Sequence, residues 1–290
     1  MPNALAVPYS FTAVATSEFG QGIDVISGNQ CAYGAVVPST RNQNRLNTAV
    51  THTRIIASED DYSSSYQAVM SVEGSTLTAS FSASASLLEQ SQMSAKSFSL
   101  VIGTTVQAAI DIIIDPANVT LTDTAAGVLK SQGPEAFQSQ YGTHFIGGFI
   151  NGGEYFATIN ILFNSAADQR NFSASASGSI SEGLASGKAS AQFSAALSSF
   201  HSSYSLQSLV SQSGDIEHLN SADPDSLITA CDNFSSTLKS DTTGGRRMVA
   251  LGFPWSAIPK VRDILGQINR VGALDIGVTW AIEFGDQSAD

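Results

Sequence analysis

Between Leu77 and Leu87 the chain reads LTASFSASASL, and apolar and polar positions alternate there without a break. Leu77, Ala79, Phe81, Ala83, Ala85 and Leu87 fall on one side; Thr78, Ser80, Ser82, Ser84 and Ser86 fall on the other. That period of two marks a strand with one apolar and one polar face. The alternation resumes after LEQSQMSAK. Phe98, Leu100, Ile102, Val106, Ala108, Ile110 and Ile112 share one parity, opposite Ser97, Ser99, Thr105, Gln107, Ala109 and Asp111, with Val101 and Ile113 as exceptions. Ile112 to Ile114 is apolar on both sides and predicts entry into a covered sheet. A further strand is predicted where Tyr155, Ala157, Ile159, Ile161 and Phe163 alternate with Phe156, Thr158, Asn160 and Asn164.

A second Ser/Ala-rich stretch follows. FSASASGSI, from Phe172 to Ile180, repeats the hexapeptide FSASAS of Phe81 to Ser86. This stretch also fits a helix, because Phe193, Leu197, Phe200 and Tyr204 stand at i, i+4, i+7 and i+11. Ile180, Leu184, Ala191 and Ala195 roughly make another helical face. Alanine favours helix, whereas the alternation permits an amphipathic strand. A low-complexity connector is the plain alternative; a segment that switches from helix to hairpin needs both periods. Elsewhere, turn residues surround a short strand near Gly20 to Asn29, and residues 58–65 read as a polar loop. Asp223-Pro224-Asp225 starts a helix, Trp255 opens another with Pro259 near its first turn, and ALDIGVTWAIEF reads as a closing strand.

Composition sharpens this picture. The 290 residues are 42% hydrophobic but only 13% charged, against the ~25% charged of ordinary soluble domains. Ser, Ala, Gly and Thr fill the deficit, and no Lys or Arg occurs between Arg54 and Lys96. The formal net charge of −12 argues against a nucleic-acid partner, which needs a positive field. No apolar run approaches the ~20 residues of a spanning helix. The first cation is Arg41, so the N-terminus lacks the positive start of a secretory signal; the chain is expected to be secreted after a signal is removed, or released without one. Cys31 and Cys231 fit either a disulfide or two thiols, with the thiol reading ahead. Sequons stand at Asn118, Asn171 and Asn233.

Catalytic patterns are missing. His52, His144, His201 and His218 are scattered, with no zinc spacing. Gly183 to Lys188 imitates a phosphate loop, but the first glycine is one residue too close and Ala189 replaces the magnesium-binding hydroxyl. No Gly-x-Ser-x-Gly elbow occurs, and Asp60-Asp61 and Asp223/Asp225 read as loop and cap residues. The chain is read as a non-enzyme with no cofactor and no metal.

One motif remains. Tyr141-Gly142-Thr143-His144-Phe145 is followed after six residues by Gly152-Gly153, in the run YGTHFIGGFINGG. It resembles the signature of the membrane-attack-complex/perforin (MACPF) family: aromatic, Gly, Thr or Ser, His, aromatic, six residues, Gly-Gly. The resemblance implies an α+β fold with a bent, twisted four-stranded antiparallel sheet. Two helical clusters that can refold to transmembrane β-hairpins would flank it, one between the first and second strands and one between the third and fourth. Residues 1–290 would form a single domain without a separate C-terminal targeting domain, with the signature at the start of the third strand. Residues 73–99 and 165–203 would be the membrane-inserting segments.

Tyr141, Gly142, Thr143, His144, Phe145, Gly147, Gly148, Gly152 and Gly153 then become scaffold and hinge. The resemblance assigns the membrane work to Leu77, Ala79, Phe81, Ala83, Ala85, Leu87, Phe98, Leu100 and Ile102. In the second segment it assigns the same work to Phe172, Ala174, Ala176, Ile180, Phe193 and Leu197. Members of the family, like the similar cholesterol-dependent cytolysins, assemble into rings on a membrane and join their hairpins into one barrel. A closed barrel satisfies every backbone polar group in lipid. A charge facing lipid at the midplane costs ~2–4 kcal/mol, so Glu182, Lys188 and Lys96 are expected at hairpin tips or facing the lumen, and the Asn171 sequon unmodified. The implied function is a pore-forming protein that becomes a homo-oligomer on a target-cell membrane, which it would recognise through loops of this domain, through another region of the chain or through a separate targeting protein. The competing reading is a non-lytic membrane- or protein-binding protein on the same fold.

Overall fold

The computed structural model describes residues 5–7, 17–25, 27, 29–37, 41–57, 94–113, 118–186, 189–200, 204–213, 224–240, 245–270 and 274. In chain order these form β1 (Leu5–Val7), β2 (Gly22–Asp24), β3 (Asn29–Gln30), β4 (Val36–Val37), β5 (Arg41–Ile56), β6 (Ser97–Ile113) and β7 (Thr120–Leu121). Then come α1 (Asp123–Gln132), α2 (Pro134–Tyr141), β8 (His144–Phe163), α3 (Ala166–Ser186), α4 (Ala189–Ser199), β9 (Tyr204–Ser213), α5 (Pro224–Ser240), β10 (Arg246–Pro254), a 3₁₀ turn (Trp255–Ala257) and α6 (Pro259–Gln267).

Four long strands, β5, β6, β8 and β9, lie side by side and antiparallel in that order. The expectation of a four-stranded sheet needs correction: the described antiparallel sheet has eight strands, of which these are the four longest. The reason is the length of β8, whose 20 residues outrun the ten of β9. β9 pairs with β8 from Glu154 to Phe163, and β10 takes over the same side from His144 to Gly152. β2 covers His144 and Phe145 on the other side, below the end of β6. Unpaired backbone groups on a buried strand are costly, so these short strands complete the ladder. A second, two-stranded sheet joins β4 to β7.

Two hydrophobic clusters divide the core. The lower one packs Phe137, Tyr141, Phe145, Phe149, Trp255 and Val261 around the start of β8. The upper one places Phe98, Leu100, Ile102, Ala157, Ile159 and Ile161 of the sheet against Phe172, Phe193, Leu227 and Phe234 of the helices. Alternation thus locates the apolar side of β6 and β8. One further expectation needs correction. The parity of β6 does not run straight through, because a bulge between Gln107 and Ala109 intervenes; Val106 belongs to the upper cluster, whereas Ile110 and Ile112 pack against the lower one. On the polar side, Ser97, Ser99 and Thr105 are buried as well. The closing strand expected from ALDIGVTWAIEF lies outside the described residues, apart from buried Leu274.

Candidate functional site

The signature forms a knot at the foot of β8. α2 ends at Tyr141, and Gly142 turns the chain with φ +72°, a region that favours glycine. A Cβ on Gly142 would run into the Ile23 carbonyl of β2. The Trp255 indole donates a 3.0 Å hydrogen bond to the Gly142 carbonyl oxygen. Tyr141 and Phe145 both pack on Trp255, with ring centroids 6.4 and 5.2 Å away, and Phe137 meets it edge-on at 5.2 Å. The Thr143 hydroxyl accepts from the Val25 amide at 3.0 Å and donates to the Ile23 carbonyl at 3.3 Å. His144 lies beside it, Nδ1 to Thr143 Oγ1 at 3.1 Å, and is buried. Burial holds its pKa down at about 4, only partly offset by the carboxylate of Asp24. His144 is thus a neutral imidazole packed inside the knot.

At Gly152 the sheet changes character. β8 exchanges β10 for β9 as neighbour there, while β6 bulges opposite, between Gln107 and Ala109, and β10 is irregular between Arg247 and Val249. A Cβ on Gly152 would collide with the Val106 carbonyl oxygen and crowd Met248 Sδ. Bulges add twist and bend a strand, so the signature's glycine pair sits where irregularities on both neighbours coincide. Gly147, from the other pair, lies under the Phe253 ring.

The two Ser/Ala-rich segments leave the opposite, upper end of the sheet. Ile56, Ser99, Asn160 and Gln207 form one rung across β5, β6, β8 and β9. Residues 57–96 connect β5 to β6, and residues 164–203 connect β8 to β9, forty residues each. Both connections therefore begin and end on adjacent hydrogen-bonded strands. In the second, α3 and α4 realise the helical period. The Ser165 hydroxyl caps α3, accepting from the Asp168 amide at 3.1 Å and donating to its carboxylate at 2.8 Å. Gln169, Phe172 and Ala176 are buried at helical spacing, while Ala174 is exposed. Phe172 stands among Phe98, Phe163 and Phe200, at centroid distances of 5.0, 5.2 and 5.6 Å.

Phe193 and Leu197 of α4 are buried in the same cluster. Tyr204 does not extend that helix, as its spacing suggested, but opens β9, because the chain must turn to pair Tyr204 with Phe163. Ile180 lies within α3. In the first segment Phe98 already belongs to β6, where it, Leu100 and Ile102 are core residues. Lys96 sits in the turn before β6, and its carbonyl accepts from the Phe163 amide at 2.9 Å. Leu77, Ala79, Phe81, Ala83, Ala85 and Leu87 lie outside the described residues.

Sequence reasoning missed several partners of these residues. Trp255, Phe253 and Ile23 close the signature knot from distant elements, and no local pattern marks them. Tyr155 anchors α5 by donating to the Leu227 carbonyl at 3.1 Å, and burial raises its pKa. Arg45 reaches the Lys239 carbonyl near the other end of α5 at 2.7 Å. Arg247 lies over the Phe149 ring at 4.1 Å and donates to the Ser17 carbonyl. Cys31 and Cys231 are free thiols, and burial pushes Cys231 up to about 12. Among the described residues no group of His, Cys, Asp or Glu could hold a metal ion. Nor is any described helix long and apolar enough to cross a membrane, which says nothing of strands.

No protein-family model matches the chain, and no curated protein matches it in sequence. Solved structures do. The chain is similar to stonustoxin, with 11% identity over 92% of this chain and 34% of that one, at a TM-score of 0.40. It is similar to a protein with a MAC/Perforin domain from Bacteroides thetaiotaomicron, with 13% identity over 73% of this chain and 49% of that one, at a TM-score of 0.27. It is also similar to GNIP1Aa from Chromobacterium piscinae, with 13% identity over 91% of this chain and 56% of that one, at a TM-score of 0.31. The chain thus spans between about a third and just over half of these solved chains. Its signature, placed at the start of the third of four long antiparallel strands, makes it similar to the membrane-attack-complex/perforin family.

Proposed function

We propose that this chain is a pore-forming protein that oligomerises on a target membrane and inserts two β-hairpins per subunit, residues 73–99 and 165–203, into a shared barrel. One observation carries the reading: two connections of equal length rise from one end of two adjacent strand pairs. Each can extend its ladder as a hairpin without any change of register. A transmembrane strand needs ~9–11 residues, so forty residues supply two such strands with chain to spare. The helical packing of α3 and α4 supports the soluble half of the cycle. Their small Ser and Ala side chains, with few charges, suit both a helix against the sheet and a strand in lipid. Gly152 and Gly153 are the proposed hinge, where the sheet would straighten. A secreted or released soluble form, a homo-oligomeric pore and a separate targeting protein belong to the same proposal.

The test is release of an encapsulated dye from vesicles or cells, with ring-shaped oligomers seen by electron microscopy. In a Cys31→Ser background, cysteines at positions 98 and 172 joined by a short bifunctional maleimide should abolish release. Release that survives the complete cross-link would refute hairpin formation by 165–203.

A further inference from the structure

β5 and β9 bound the four long strands, and neither pairs with a strand on its outer side among the described residues. A wall shared between subunits closes when β5 of one copy lies along β9 of the next. These two edges differ in length: β5 has 16 residues and β9 has ten. β9 ends beside Glu154, whereas the foot of β5 runs on to the level of Gly148. There Asn42 pairs with Ile112, which pairs with Gly148, and Gln43 pairs with Asp111, which pairs with Phe149. Past Glu154 the line of β9 is taken up by β10, whose Leu251 and Ala250 pair with the same Gly148 and Phe149. The outer edge of β10 is occupied by β1, with Ala6 opposite Leu251 and Val7 opposite Ala250. One rung thus runs from Asn42 to Ala6 and the next from Gln43 to Val7, each across five strands. Every pairing on the way is antiparallel, so β1 points in the same direction as β5.

β1 therefore holds the level, the direction and the edge that the foot of a neighbour's β5 would take. It is three residues long, short for a strand, and Asn42 to Leu46 of the competing strand are exposed. The exchange is close to balanced, because each backbone bond that β1 gives up is remade by the incoming strand. We infer that the outer edge of β10 is a docking edge for Asn42 and Gln43 of a second copy of this chain, and that β1 keeps it closed in the isolated subunit. This rests on the pore-forming reading and adds an order of events to it: β1 leaves β10 before neighbouring subunits pair along their full length. An open strand edge invites association, and a strand from the same chain blunts it until assembly.

Gln43→Cys combined with Ala250→Cys, in a Cys31→Ser background, reads the contact directly. Within one copy these positions are three strand spacings apart, about 14 Å, beyond the reach of a disulfide. Oxidation on vesicles of phosphatidylcholine, sphingomyelin and cholesterol should therefore give a ladder of covalent oligomers on non-reducing gels. A mixture of the two single variants should give dimers, and each single variant alone should give monomers. Rings that form without the ladder overturn the inference. Leu5→Pro/Ala6→Pro weakens β1, because successive residues alternate between hydrogen-bonded and non-hydrogen-bonded pairs, so one of the two prolines removes a ladder donor. It should shorten the half-time of ring assembly at least about fivefold, the factor that one backbone hydrogen bond is worth; an unchanged half-time also overturns the inference. Wild-type protein that forms no ring and releases no dye from any membrane counts against the pore-forming reading. Oxidation in solution then decides this one alone: with the two prolines added, the Gln43→Cys/Ala250→Cys protein should form the ladder without vesicles, and a product that stays monomeric refutes the docking edge.

Discussion

Acid should loosen the fold through His144 in a way that can be isolated from every other titrating group. The imidazole is 5% exposed and its pKa is held at about 4, chiefly by burial. In the unfolded chain it returns to about 6.5. The unfolded state therefore binds more protons between these values, and stability falls as pH falls. The contribution is fully present above about pH 6.5 and is lost progressively as pH drops through about 4. Each tenfold difference in proton affinity between the folded and unfolded states is worth about 1.4 kcal/mol, so lowering the pH from about 7.5 to about 5 should cost about 2 kcal/mol from this residue alone. The complete loss, near pH 4 and below, approaches about 3 kcal/mol. Urea unfolding followed by tryptophan fluorescence gives the free energy at each pH. His144→Gln, which keeps a polar group beside Thr143 but does not titrate, removes the slope. The quantity to plot is the difference between wild type and variant, which cancels the carboxylates. A difference that stays flat between about pH 7.5 and 5 would refute the assignment of a buried, neutral histidine.

Trp255→Phe should preserve most packing but strand the Gly142 carbonyl, with a loss of about 1–3 kcal/mol by urea unfolding. Gly152→Ala should be worse than an ordinary surface change, at about 3 kcal/mol or more, because its Cβ meets the Val106 backbone; a neutral result would show that the strands can separate there without cost. A polarity-sensitive fluorophore at position 193 should start in the dry core of the soluble form. It should then enter lipid on membrane binding and be quenched by lipid-borne quenchers, whereas the non-lytic reading leaves it unquenched. Cys31 should react with a maleimide at neutral pH well before Cys231, whose burial and raised pKa protect it; equal rates would contradict the packing of α5 on the sheet.

Much of this architecture could be read along the chain because its long strands alternate faithfully. Tyr155 to Phe163 predicted both a strand and its inner face, and the YGTHF run predicted where the third strand begins. The dual-period segment could not announce that it folds as helix. FSASAS satisfies strand and helix alike, and the choice is made by Phe172 finding Phe98, Phe163 and Phe200, which are remote in sequence. The bulge at Gln107 was hidden for a related reason: a bulge is a relation between two strands, and only the partner's glycines give it away. Trp255 and Ile23 carry no mark of their role, since their importance lies in the Gly142 turn they close over.

The rung formed by Ile56, Ser99, Asn160 and Gln207 has a metrological consequence. Neighbouring strands stand ~4.8 Å apart, so a subunit contributing four of them to a closed wall supplies about 20 Å of circumference, and more if the strands tilt. In the ring proposed above, the perimeter measured on micrographs divided by the number of subunits should return at least that arc. An image of a ring would therefore test the four-strand repeat itself: only whole numbers of subunits can close it.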